Sequence, residues 1–303
     1  MPQPLIIICG PTATGKTALA LEIAERFSGE IISADSRQVY RGLDIGSAKA
    51  TREELARIPH HLIDVADPTD VFSVADFKEQ ATAAITAIRN RGNLPIICGG
   101  TGMYISTLID NHTLPAVAPN AVLRSELELL TTDELTTRLI TLDPERCATI
   151  DRANRVRLIR AIEVATELGS VPTLTTDSAF ESENSILMIG LTLPKEVIAE
   201  RIDARIRERI PALFDEIRKL LAEGVPAERL KSFGLEYKYG TEYLEGALSE
   251  QDFIERLATK TWQFVRRQMT WFRRDTRIEW FNPISDKIKI LERVQDFLKT
   301  FHR

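Results

Sequence analysis

Eight consecutive residues near the start of the chain, Gly10-Pro11-Thr12-Ala13-Thr14-Gly15-Lys16-Thr17, fit the pattern G-x-x-x-x-G-K-[ST]. Phosphate chemistry needs this spacing. Backbone N–H groups turn inward around a phosphate, the helix that follows adds roughly half a positive charge at its N-terminus, and the lysine reaches the outer phosphate. The expected diphosphate ligands are therefore Gly10, Pro11, Thr12, Ala13, Thr14, Gly15, Lys16 and Thr17, with the Thr17 hydroxyl expected on a Mg²⁺. Such a loop implies phosphate rather than ATP. NTPases pair it with a second apolar strand ending in an Asp that holds the metal. The candidate strand here ends Ile97-Cys98-Gly99-Gly100-Thr101, with no acid. A small-molecule kinase remains open, as does a transferase that grips a diphosphate as its leaving group.

The second group is Asp35. It closes the apolar run Glu30-Ile-Ile-Ser-Ala-Asp35 and begins Asp35-Ser36-Arg37-Gln38-Val39-Tyr40. An acid at the C-terminal end of a parallel strand, next to a phosphate loop, faces the crevice where α/β proteins bind ligands and is suited to act as a general base. Position alone leaves open a second role, capping the turn that follows. Further cations lie late in the chain: Arg201, Arg205 and Arg209 on one predicted helix, then Arg266, Arg267, Arg273, Arg274 and Arg277 interleaved with Trp271 and Phe272. The last set reads equally as a solvated helix face or as an RNA contact.

The elements that must hold these groups alternate at first. Leu5–Cys9 is a short buried strand, a helix runs from about Gly15 to Phe27, and Glu30–Asp35 and Leu94–Cys98 are further strands. Ser73-Val-Ala-Asp76 has the spacing of a capping box and opens a helix to about Arg91. The expected fold class is α/β: a P-loop core with a parallel sheet flanked by helices, plus a helical insertion domain. Residues 115–185 carry only helical patterns (Val122–Leu130 and Asn154–Leu168) and a polar loop at Thr173–Glu183, so the expected domains are 1–114 with 186–303 as the core and 115–185 as the insertion. Ile186–Leu193 returns as a strand, and helices at about Lys195–Glu223 and Ser249–Arg274, a strand at Arg277–Phe281 and a closing helix complete the core.

Composition narrows the classes. With 303 residues, 44% hydrophobic and 27% charged, the chain is ordinary globular protein and long enough for two units. The Met1–Pro4 start has no basic region, and the apolar run Leu5–Gly10 is too short for a signal peptide or a membrane span, so a cytoplasmic protein without a membrane partner is expected. Three cysteines, Cys9, Cys98 and Cys147, argue against a disulfide framework, and the four histidines, His60, His61, His112 and His302, form no Cys/His cluster for zinc. His60 and His61 read as scaffold. A net charge of −5 neither indicates nor excludes nucleic acid, because phosphate binding depends on local basic surface.

The phosphate loop Gly10–Thr17, the stretch Asp35-Ser-Arg-Gln-Val-Tyr-Arg-Gly-Leu-Asp44-Ile-Gly-Ser-Ala-Lys49, the turn Gly99-Gly-Thr-Gly-Met-Tyr104 and the late Arg267-Gln-Met-Thr-Trp271-Phe-Arg273 together resemble the tRNA dimethylallyltransferase family. Their order, gaps and total length agree over nearly the whole chain, and the Asp-Ser-x-Gln-Val-Tyr block is the most specific of them. The resemblance implies a reaction: transfer of a dimethylallyl group from dimethylallyl diphosphate to N6 of the adenine 3′ of the anticodon. It implies Asp35, Thr101 and Arg205 as catalytic residues, Asp35 as the base and Thr101 in the channel between donor and base. By the same resemblance, Asp35, Ser36, Arg37, Gln38, Thr101, Arg124, Arg157 and Arg160 are expected against the tRNA anticodon stem-loop, and the family suggests a monomer. The family pattern Arg-Ile-x-x-Arg maps onto Arg201 and Arg205. One stretch departs: Ile-Gly-Tyr-Lys-Glu is common in the family where this chain has Phe233-Gly-Leu-Glu-Tyr-Lys238, and no RNA role is carried onto those residues.

The chemistry fits these roles. An exocyclic aromatic amine is a poor nucleophile, so its proton must be taken as the C–N bond forms, and an ordinary carboxylate is ionised at neutral pH. The leaving diphosphate needs cations in place beforehand. A base in a single-stranded loop can leave its stack at modest cost. Three other classes stay open: a P-loop kinase, an adenylate prenyltransferase of the cytokinin type, and a non-catalytic RNA-binding module.

Overall fold

The computed structural model describes residues 2–173 and 179–301, so residues 174–178 of the expected polar loop, and His302, lie outside the described residues. The chain forms two compact units, Met1–Asn111 with Ser178–Arg303, and His112–Asp177.

In the first unit, β1 (Gln3–Cys9) leads through the phosphate loop into α1 (Lys16–Arg26). Next come β2 (Gly29–Ser33), α2 (Arg52–Arg57), the two-residue β3 (His60–His61), α3 (Val74–Asn90), β4 (Leu94–Cys98) and α4 (Gly102–Ile109). The predicted capping box at Ser73 is present: its hydroxyl accepts from Asp76 N at 3.2 Å and the Asp76 carboxylate accepts from Ser73 N at 2.7 Å.

The second unit holds α5 (Ala121–Glu128), α6 (Thr132–Leu142), α7 (Pro144–Thr149) and α8 (Arg155–Leu168). Its own small core is built from Leu127, Leu135, Leu139, Leu158 and Ile162.

The chain then returns to the first unit through α9 (Ala179–Glu183), β5 (Asn184–Leu191), α10 (Lys195–Ala222), α11 (Ala227–Lys231), α12 (Leu235–Leu244), α13 (Glu250–Phe272), β6 (Ile278–Phe281) and α14 (Lys287–Lys299). The second half of the expected loop at Thr173–Glu183 is thus helical. Phe180 puts α9 in the first unit, buried in the same apolar cluster as Leu108 and Met188.

All pairings in the sheet are parallel, in the order β3-β2-β4-β1-β5-β6. The near-continuous apolar strands follow from burial on both faces. α1 and α14 cover one face around Ile6, Ile8, Ile96 and Ile189, and α3 and α4 cover the other around Ile7, Ile32 and Ile97. A third apolar cluster joins α10, α12 and α13 to the segment after β2 through Val39, Tyr40 and Leu43. That cluster places late helices beside the early strand ends. Two-residue β3 has no apolar periodicity to announce it. His61 is fixed by Glu30 at 2.6 Å, and His60 Nδ1 lies 2.8 Å from the Ile58 carbonyl oxygen.

Candidate active site

β1 stops at Cys9 and α1 begins at Lys16, so the predicted phosphate loop sits at the C-terminal edge of the sheet. Its turn is held from within. Thr14 Oγ1 and Lys16 Nζ both donate to the Pro11 carbonyl, at 2.8 and 2.7 Å. Ala13 carries a left-handed backbone (φ 65°), uncommon for a residue with a side chain and characteristic of strained functional loops. Burial pushes the Lys16 ammonium below its ordinary value, with Arg205 adding to that and Asp35 opposing it. An anion bound in the loop would oppose that shift. Thr17 is exposed on the first turn of α1. Its hydroxyl suits a hard cation that takes one or two protein oxygens and completes its shell with phosphate and water.

Two strands away, the chain leaves β2 at Ser33. Asp35 Oδ1 accepts from Arg37 N at 2.9 Å, so the turn-capping role is real. It uses one carboxylate oxygen and leaves the other for a ligand. Ser36 N donates to Thr101 Oγ1 at 3.1 Å, and Thr101 N donates to the Ala34 carbonyl at 3.2 Å, which ties the turn after β4 to the segment carrying Asp35. Gln38 accepts from Ser33 Oγ at 2.8 Å and donates to the Ala48 carbonyl at 3.1 Å. It thereby folds the 38–48 segment back on the strand end. Arg37 is half-buried near Gly234, whose Cβ, if it had one, would lie 3.7 Å from Arg37 Nε.

α10 supplies the cations. Arg201, Arg205 and Arg209 recur every four residues, so they share one face. Arg205 Nη1 donates to Thr12 Oγ1 at 2.8 Å, Arg201 Nη1 to the Ala13 carbonyl at 3.3 Å, and Arg209 Nη1 to the Ile45 carbonyl at 3.4 Å. Both arginines of the Arg-Ile-x-x-Arg pattern therefore reach the phosphate loop. Three like charges on one half-buried stripe favour an anionic ligand: burial, then the charge of Arg205, hold Arg209 below its ordinary value.

Three further residues join this site that the sequence reading did not single out. Glu216 on α10 accepts from Asp44 N at 2.8 Å, Ile45 N at 2.7 Å and Gly46 N at 3.1 Å, and from the Tyr237 hydroxyl at 2.7 Å. It closes the loop that follows Asp35 as an internal anion. Glu236, at the start of α12, is pushed up by burial; Arg205 pulls it down and Asp35 pushes it up, so its carboxylate lies in the field of the same groups. Gln268 on α13 is the third, 7% exposed. The inward stripe of α13 runs Thr261, Val265, Gln268, Phe272, and a polar residue in such a stripe was the available clue.

The expected RNA-facing arginines divide. In the second unit, Glu163 is 1% exposed at its side chain, and Arg124 forks onto it with two bonds of 2.8 Å. Arg160 adds a 3.4 Å bond to Glu163 and a 2.7 Å bond to the Val117 carbonyl. Burial opposes the charge on Glu163, but Arg124 and the Asn120 N–H outweigh it and hold the carboxyl below its ordinary value. Arg157 is exposed on the first turns of α8. In α13, Phe272 is buried and Trp271 half-buried, while Arg266 and Arg267, and Arg273 and Arg274 just beyond the helix end, are exposed. Arg277 pairs with Asp110 at 2.7 Å and with Asp275 at 2.8 Å.

A family model described as IPP transferase matches residues 38–275. The chain is 42% identical over 295 residues to tRNA dimethylallyltransferase 2 of Syntrophotalea carbinolica, covering 96% of this chain and 98% of the relative. It is 45% identical over 276 residues to tRNA dimethylallyltransferase of an Exiguobacterium species, covering 89% and 87%. The crystal structure of the full-length tRNA isopentenylpyrophosphate transferase from Bacillus halodurans superposes with a TM-score of 0.72 at 36% identity, over 98% of this chain and 96% of that one.

Proposed function

The chain belongs to the IPP transferase family, and from that membership we propose that it transfers a dimethylallyl group from dimethylallyl diphosphate to N6 of the adenine 3′ of the anticodon in tRNA, releasing diphosphate. The observation that carries the reading is the convergence of three elements on one sheet edge. Arg205 and Arg201 reach the phosphate loop, and Thr101 holds the turn that presents Asp35.

The donor diphosphate lies in the Gly10–Thr17 loop, bound by the amides from Ala13 to Thr17, by Lys16 and by Arg205, with Arg201 beside them. These groups are fixed before the reaction, so they stabilise charge as it develops on the leaving oxygen. The adenine N6 attacks the first carbon of the dimethylallyl group, the C–O bond to the diphosphate breaks with its electron pair, and the proton from N6 passes to the Asp35 oxygen that is not engaged with Arg37. Thr101 and Ser36 line the passage between donor and base. The Thr17 hydroxyl would hold Mg²⁺, which would supply countercharge to the diphosphate when bound. The tRNA is held by Arg37 and Gln38 near the target base, by the exposed arginines of α13 and its C-terminal end, and in the second unit by Arg157, with Arg124 and Arg160 shaping the surface around it. The family resemblance suggests that the enzyme acts as a cytoplasmic monomer. No helix of the described residues is long and apolar enough to cross a membrane.

The deciding experiment is incubation with labelled dimethylallyl diphosphate and, separately, tRNA, AMP or ATP. Label is expected in tRNA alone. Efficient labelling of AMP would move the reading to a cytokinin-type enzyme, and phosphoryl transfer from ATP without prenyl transfer would move it to a kinase.

A further inference from the structure

Gln268 uses both ends of its side-chain amide on two different loops of the site. Its Oε1 accepts from Thr12 N at 3.0 Å, across 256 residues of chain, and its Nε2 donates to the Gly100 carbonyl at 2.9 Å, across 168. The side chain is almost wholly buried, between the apolar Val265 and Phe272 on the inward stripe of its helix. A buried amide is costly unless both ends are satisfied. Here each end is satisfied by main chain of the site.

The two loops are those that matter. Thr12 belongs to the phosphate loop, and its hydroxyl is taken by Arg205, so this residue is gripped through its backbone by α13 and through its side chain by α10. Gly100 precedes Thr101, whose hydroxyl accepts from Ser36 N next to Asp35. A continuous chain of bonds therefore runs from phosphate loop to Gln268, to the Gly100–Thr101 turn, to the segment of the base. The contact is close enough to dictate its neighbours. A Cβ at Gly100 would lie 2.5 Å from Gln268 Nε2, and one at Gly102 would lie 2.2 Å from the Trp271 ring. α13 thus presses Gln268 and Trp271 onto a turn that only glycine allows so near.

We propose that Gln268 is a positioning residue that fixes the phosphate loop against the Thr101 turn, and so sets the distance and alignment between the donor's reacting carbon and the adenine held near Asp35. The proposal rests on the prenyl-transfer reading above. Gln268 touches neither substrate, and its effect on the rate is geometric. Small misalignments at a reacting pair cost about 10²-fold in rate.

The test uses the full-length enzyme with tRNA and labelled dimethylallyl diphosphate. Gln268→Met keeps the shape and removes both bonds. Gln268→Glu keeps an acceptor for Thr12 N but sets a carboxylate against the Gly100 carbonyl. In Gln268→Met the single-turnover rate at saturating substrates should fall by roughly 10–100-fold, with donor Kd and tRNA Kd within about threefold of wild type. In Gln268→Glu the rate relative to wild type should recover as pH falls from about 8 toward about 5, where a glutamic acid begins to protonate and can donate to Gly100 again. A purely structural glutamine would lower thermal stability without that pH-dependent ratio. Rates within about twofold of wild type in both variants, with wild-type enzyme active on tRNA, overturn the proposal and leave the function standing. A pH-independent ratio in Gln268→Glu also overturns it, and this readout serves if Gln268→Met does not fold. A wild-type enzyme inactive on tRNA overturns both.

Discussion

Arg205 donates from Nη1 to the Thr12 hydroxyl at 2.8 Å, joining the middle of a late helix to the first loop of the chain across 193 residues. The bond orients the guanidinium along the phosphate loop, where the proposed diphosphate leaving group would gain charge. Arg205→Ala should lower the single-turnover rate by about 10²–10³-fold, the usual loss when one preorganised charge stabiliser is removed. Arg205→Lys should recover only part, because an ammonium cannot bond the hydroxyl and a phosphate oxygen in one plane. Thr12→Val should cost far less than either. A rate for Arg205→Ala within a few-fold of wild type would move the cationic role to Arg201.

Asp35 has one oxygen on Arg37 N at 2.9 Å and the other available to a substrate proton. Asp35→Asn keeps the amide-accepting oxygen and removes the basicity, which separates the structural task from the chemical one. Its turnover should fall roughly 10²–10⁴-fold with tRNA affinity little changed. If turnover is retained, the base is another group.

Arg124 and Arg157 should behave oppositely. Arg124→Ala leaves the buried Glu163 with a weaker partner in Arg160 and should destabilise the second unit by about 2–4 kcal/mol, read as a lower urea midpoint. Arg157→Ala and charge reversal at exposed Arg273 or Arg274 should leave stability unchanged and flatten the salt dependence of tRNA binding. Each phosphate contact contributes about −0.7 to −0.9 to the slope of log K against log salt. A salt-independent acceptor KM would remove RNA contact from these surfaces.

Glu30 predicts the acid limb of stability. Arg91, against the cost of burial and helped by Asn93 and His61, lowers its carboxyl from 4.5 to about 2. A carboxyl depressed in the folded state stabilises the fold above its unfolded value, and this contribution is lost as pH falls from 4.5 through about 2. Glu30→Gln should therefore be less stable than wild type at neutral pH, with the gap closing across that window in denaturant titrations. A gap constant with pH would show that packing, not ionisation, is what Glu30 contributes.

The sequence by itself determined the elements whose signals are local. The apolar run Leu5–Cys9, the loop Gly10–Thr17, the capping box at Ser73 and the helical stripe carrying Arg201 and Arg205 each need only near neighbours in the chain. Their spacing encodes hydrogen bonds and faces directly, and the motif order pointed to the family that the comparisons find. β3 escaped because a two-residue edge strand has no period, and α9 because Phe180 declares its unit only by what it packs against. Only the tertiary structure decided which oxygen of Asp35 is taken, that Arg124 turns to Glu163, and that Gln268 and Glu216 brace the loops around Asp35. Those bonds join residues far apart in the chain. A buried amide or carboxylate looks the same in sequence whether it faces water or the backbone of a distant loop, until the fold brings its partner within about 3 Å.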